Sequence, residues 1–293
     1  MKRFIIVLIC GCFLGTGVAV GFSGTGPQII SSLAPVSTTE VYKSITAVLS
    51  GDWQLYGEKF TLWQATLFGK LYLWAIILIP AVFLLHYLVI GPKHFSHEGQ
   101  QILFFGLFCR LIHWIAAVSF TLLVITGLMI IFGNFLGGGA LVRTGRSVHI
   151  VSALVMAIVA VPMLLIWIKD MLPAPHDIMW MLIMGGYLSK AKKPVPAGKF
   201  NAGQKTWFWL ATAGSGVMAW SGYILYAFRE QADQLRLMAV IHNFLGVALV
   251  VFFIIHLYMA TLAIRGALAS MITGYKPREE VEILHSRYKI PTA

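Results

Sequence analysis

The chain has 293 residues, of which 58% are hydrophobic and only 11% charged, with a formal net charge of +11 and a mean hydropathy of +0.81. A water-soluble domain carries about 25% charged residues, so this composition excludes one and points to an all-α integral membrane protein. Lys and Arg gather in the connections between apolar runs, with no recognition motif beside them, so no nucleic-acid partner is expected. Cys10, Cys12 and Cys109 are too few and too scattered for a disulfide framework or a thiolate metal site.

In chain order, Met1, Lys2 and Arg3 precede an apolar stretch, so residues 1–22 read as a signal peptide or a first transmembrane helix. Residues 23–68 are mixed in character, with Trp53 and Trp63, and read as an extracytoplasmic arm. Five apolar spans follow, over 70–90, 111–132, 148–168, 206–227 and 238–264, each long enough for a hydrocarbon core of roughly 30 Å. The predicted organisation is an extra transmembrane helix (69–91), a four-helix core (105–270) and a cytoplasmic tail (271–293). Thirteen Lys and Arg fall on the side that holds the C-terminus and seven on the other, which places the C-terminus in the cytoplasm. The predicted location is a bacterial inner membrane, crossed several times and surrounded by lipid.

Four of the nine histidines lie inside apolar spans: His113, His149, His242 and His256. An ionisable side chain at membrane depth is costly and marks a functional site. His242 and His256 are 14 residues apart on one span, which separates them by roughly 21 Å along the axis on a shared face. His113 begins a span that runs outward, and His149 begins one that runs inward. The alternation of spans therefore pairs His149 with His242 at the outer level and His113 with His256 at the inner. Two imidazoles per level, on different helices, suit axial ligation of haem iron; zinc needs three or four ligands. Two b haems in a four-helix bundle are expected, with Gly127, Gly222 and Gly246 as candidates for close approach of a flat macrocycle. Arg110 at the inner level, and Arg143 and Arg146 at the outer, are candidates for the haem propionates. His86, His94, His97, His176 and His285 are read as non-ligands.

The segments Arg110-Leu111-Ile112-His113-Trp114, Ser147-Val148-His149, Ile241-His242-Asn243-Phe244-Leu245-Gly246 and Ile255-His256-Leu257-Tyr258 resemble the cytochrome b gamma subunit of respiratory formate dehydrogenases. Phe200-Asn201-Ala202-Gly203-Gln204-Lys205 adds to the likeness, which covers roughly residues 105 to 280. The resemblance implies an iron–sulfur beta subunit as electron donor and a molybdenum or tungsten alpha subunit that oxidises formate outside the cytoplasm. It implies a quinone, menaquinone or ubiquinone, reduced near the cytoplasmic face at His256, Asn201, Gln204 and Lys205. It implies that formate is oxidised on another subunit, with no catalytic residue for that step in this chain. The signal segment, the arm and the extra span depart from the shorter members. Cytochrome b subunits of nickel–iron hydrogenases share the broad plan, and a haem-free membrane anchor or transporter is the alternative of another class; internal repeats, a transporter mark, are not seen.

Overall fold

The computed structural model describes residues 57–96, 98–227 and 232–290. The expected signal segment and most of the expected arm lie outside the described residues, as do His97 and Arg229. Among the described residues the chain is a bundle of long helices: α1 (Lys59–Val89), α2 (Leu107–Ile131), α3 (Gly139–Trp167), a short α4 (Pro175–Leu182), α5 (202–227) and α6 (Ala232–Ala263). α1, α2, α3 and α6 are long and apolar enough to cross a membrane. α5 runs without a break through Ala202–Trp209, a π-helical turn at Leu210–Gly214 and Ser215–Ala227. It falls outside that set, in contrast to the expected fourth span (206–227), because its Gly, Ser and Trp residues dilute the apolar run.

α1 starts well before residue 69, so the end of the expected arm is helical. Packing explains the difference: Trp63 and Phe68 both set their rings edge-on against Phe244 of α6, at 5.8 and 5.0 Å. Lower on the same pair of helices, the Tyr72 hydroxyl donates to the Asn243 carbonyl at 3.2 Å. A Cβ at Gly246 would overlap that hydroxyl, so Gly246 admits Tyr72 of the extra helix, not a macrocycle.

α2 and α3 form an antiparallel hairpin. Its turn is Gly137, Gly138 and Gly139, all at positive φ (76°, 64° and 67°), a conformation that only glycine adopts without strain. On α3, Val151, Leu154, Ile158, Val161 and Leu165 are exposed, while Ser152, Met156, Val159, Ala160, Met163 and Trp167 are buried. That is one helical period split between an outward apolar face and a core, as a lipid-bathed helix requires. Hydroxyls inside the bundle are satisfied locally: Ser119, Thr121 and Thr212 each donate to the carbonyl four residues back, which removes their polarity from the apolar interior.

The segment read as a cytoplasmic tail is folded through residue 290. Strand β1 (Gln101–Leu103) pairs antiparallel with β2 (Tyr275–Pro277), Ile102 opposite Lys276. α8 (Arg278–Leu284), which with a short α7 (Ala269–Thr273) flanks β2, caps this end of the bundle and reaches two cores. Val281 is buried in the main core with Ile102, Phe104 and Phe105, and Leu284 is buried in a smaller cluster with Phe95, Trp180 and Val195. Lys276 pairs with Glu280, and His285 Nδ1 bonds the Gly198 carbonyl at 2.9 Å. Burial, then the nearby Lys276 cation, pushes the His285 imidazole down to about 3. In the unfolded chain it titrates near 6.5, so this cap has its full stability above that pH. It loses stability as pH falls, because the unfolded form takes up a proton that the folded form refuses. Hydrogen exchange of residues 275–285, corrected for intrinsic rates, is expected to show weaker protection at about pH 5 than at pH 7.5.

Candidate functional site

The antiparallel packing of α2, α3, α5 and α6 brings the four intramembrane histidines together as two facing couples. His149 of α3 and His242 of α6 have ring centroids 6.4 Å apart with planes at 58°. His113 of α2 and His256 of α6 stand 6.3 Å apart at 55°. One metal atom held between two imidazoles needs bonds of about 2 Å on each side. With each facing nitrogen about 1 Å from its ring centre, that comes to about 6 Å, so both couples fit a single iron between them. Among the described residues no group of three or more His, Cys, Asp or Glu is placed to hold a metal ion; the imidazoles stand in twos.

The two couples differ in their surroundings. At the outer couple, His149 Nδ1 lies 2.9 Å from Thr126 Oγ1 and His242 Nδ1 lies 2.9 Å from Ser221 Oγ. The neighbouring Gly127 and Gly222 leave room for the rings: a Cβ at either would come within 3.4 and 3.3 Å of the imidazole Cε1. These glycines seat the histidines themselves. At the inner couple, His113 Nδ1 is buried without a hydrogen-bond partner, and its ring stands edge-on to Trp114. His256 stacks on Trp207 at 5.3 Å and 21°. Neither ring makes a hydrogen bond among the described residues.

Asn201, Gln204 and Lys205 occupy the start of α5. Asn201 Oδ1 accepts from the Gln204 backbone N–H at 2.9 Å, and Gln204 Oε1 accepts from that of Asn201 at 3.0 Å, a reciprocal cap. The group left on each side chain is an NH2 donor. Lys205 Nζ reaches Asp177 Oδ2 of α4 at 2.8 Å. His176 Nε2 and Asp177 Oδ1 are buried without hydrogen-bond partners among the described residues, 3.8 Å from each other. Two residues beyond Lys205, Trp207 turns to His256, which links this cluster to the inner couple.

Of the arginine candidates, Arg110 donates to the Ile272 carbonyl and its Nε is buried without a partner, while Arg143 and Arg146 are exposed. His86, read as a non-ligand, bridges the Tyr258 hydroxyl at 2.5 Å and the Tyr187 carbonyl at 2.9 Å. That ties α1 to α6 a second time, and Phe83 stacks on Tyr258 beside it at 4.3 Å.

A membrane bundle with paired imidazoles inside it defines a haem-carrying electron-transport protein, and residues 104–274 match the family model of prokaryotic cytochrome b561. The chain belongs to that family, a family of all-helical membrane cytochromes b. It is 27% identical over 189 residues to the cytochrome b556(Fdn) subunit of the nitrate-inducible formate dehydrogenase of Escherichia coli K12, covering 61% of this chain and 86% of that one. It is also 27% identical over 188 residues to the cytochrome b556(fdo) subunit of an E. coli K12 formate dehydrogenase, covering 61% and 87%. A formate dehydrogenase cytochrome b556 subunit of Haemophilus influenzae is 23% identical over 176 residues, covering 57% and 73%. The matched family segment begins after α1.

Proposed function

We propose that this chain is the membrane cytochrome b subunit of a respiratory formate dehydrogenase in a bacterial inner membrane, with its C-terminus in the cytoplasm. His149 and His242 hold an outer haem b, and His113 and His256 an inner one. Electrons enter from an iron–sulfur beta subunit on the outer side, which a molybdenum or tungsten alpha subunit supplies from formate. They leave to menaquinone or ubiquinone beside the start of α5. The observation that carries this reading is the pair of facing imidazole couples, joined to the likeness to formate dehydrogenase cytochrome b556 subunits.

Haem supplies reversible one-electron storage; the chain supplies its axial donors and an apolar, water-poor enclosure. At the quinone site, the Asn201 and Gln204 amides and the Lys205 ammonium are donors for a carbonyl oxygen that gains negative charge on reduction. Trp207, stacked on His256, is the packed contact between that site and the inner couple. The isolated complex is expected to contain two b haems per copy of this chain by extraction and haemochromogen absorbance, with a formate-oxidising subunit beside it. A colourless, well-folded chain would leave the membrane-anchor reading. A co-purifying nickel–iron subunit would make it a hydrogenase cytochrome.

A further inference from the structure

We propose that Thr126 and Ser221 lower the electron affinity of the outer haem below that of the inner one by accepting hydrogen bonds from the two outer ligands. The inference rests on the two-haem reading above and concerns only how this chain's residues tune the sites.

The direction of each bond follows from counting protons. A Thr or Ser hydroxyl has one hydrogen to donate. Thr126 Oγ1 places its hydrogen on the Leu122 carbonyl at 2.6 Å, and Ser221 Oγ on the Val217 carbonyl at 2.8 Å. Toward the imidazoles both oxygens are therefore acceptors, and Nδ1 of His149 and of His242 carries the proton. Each hydroxyl thus fixes its histidine in the tautomer whose Nε2 lone pair is free for iron. An Nδ1–H that donates a hydrogen bond makes the opposite nitrogen a stronger electron donor. A stronger axial donor favours ferric over ferrous iron and lowers the reduction potential.

The device occurs twice at one level and not at the other. Thr126-Gly127 on α2 braces His149, 23 residues on, and Ser221-Gly222 on α5 braces His242, 21 residues on. The hydroxyl residues are 4% and 0% exposed, so no water competes for these bonds. At the inner level His113 Nδ1 has no partner among the described residues, and the aromatic face of Trp207 covers His256. Two braced ligands against two unbraced ones make the outer site the weaker electron acceptor, which sends charge inward.

The test is a potentiometric titration of the intact complex in its membrane, following the haem absorbance bands. The parent complex is compared with Thr126→Val, Ser221→Ala and the conservative Thr126→Ser and Ser221→Thr. The parent should titrate as two components. Thr126→Val and Ser221→Ala should each raise the lower one, shifting electron sharing between the haems by about threefold to tenfold, tenfold being about 59 mV for one electron. The upper component and the haem count should stay unchanged, and the conservative variants should restore the parent value. Unmoved potentials with both haems present, or movement of the upper component, would overturn the inference. Loss of haem in Thr126→Val and Ser221→Ala alone would reduce the hydroxyls to a holding role and also overturn it. A parent complex with fewer than two haems would instead defeat the two-haem reading.

Discussion

His256→Ala is expected to leave one b haem per chain and to lower formate-dependent quinone reduction by at least about a hundredfold. Loss of a residue that merely orients a metal ligand already reduces affinity or activity by about 10- to 100-fold, and His256 is a proposed ligand itself. Its partner His113 has no hydrogen bond to hold it in place, and Trp207 loses the ring on which it stacks. The outer couple, 14 residues away along α6, keeps Thr126 and Ser221 as braces. The two levels lie roughly 21 Å apart along α6, so nothing bridges the outer site to the quinone once the inner one is lost. His242→Ala should give the mirror result: the remaining haem is reduced by added quinol and not by formate. Haem extraction and stopped-flow absorbance from both directions check the pair. His86→Ala serves as the control, because both of its ring nitrogens are engaged by Tyr258 and Tyr187; both haems should remain. If His256→Ala and His242→Ala kept two haems each, the ligand assignment would be wrong.

The histidine pairing was legible because period and alternation are both one-dimensional. Two imidazoles 14 residues apart on one helix, and one each near the starts of helices of opposite direction, leave a single antiparallel match. What surrounds them was not. A Thr or Ser in an apolar helix donates to its own helix so commonly that Thr126 and Ser221 carry no special mark, although the repeated hydroxyl-Gly step ahead of His149 and His242 is a signal that spacing could have found. Gly246 shows the opposite failure: a small residue one turn from an intramembrane histidine invites a macrocycle, and only the packing of α1 reveals that Tyr72 fills the space. The folded cap escaped because its contacts are far apart in sequence. Gln101 pairs with Pro277, and the charged run after Gly274 hides Val281 and Leu284 in two hydrophobic cores. Asp177 escaped because an acid in a basic loop looks like an exposed charge until Lys205 is found on it.

That pair carries the second large effect. Lys205 and Asp177 are both largely buried, with side chains 10% and 14% exposed, and Asp177 Oδ1 already lacks a hydrogen-bond partner. Lys205→Met therefore leaves a buried carboxylate with no cation on it and only the Ala174 backbone N–H at 2.7 Å as a hydrogen-bond donor among the described residues, which costs about 3 kcal/mol or more. Thermal unfolding of the complex in detergent should register it as a clear drop in midpoint. Adding Asp177→Leu removes the stranded charge, and the double variant should recover most of the lost stability, since an apolar replacement of a buried ion pair is often neutral. Quinone reduction separates the two roles that Lys205 can have. If its ammonium also stabilises the reduced quinone, the stable double variant stays about tenfold slow, equivalent to about 1.4 kcal/mol at the transition state, while reduction of the haems by formate is unchanged. Recovery of the rate together with the stability would make Lys205 a strut between α4 and α5 and remove it from the quinone site. The tenfold deficit is the expected result, because the same first turn of α5 presents the Asn201 and Gln204 amide donors and leads, through Trp207, to His256.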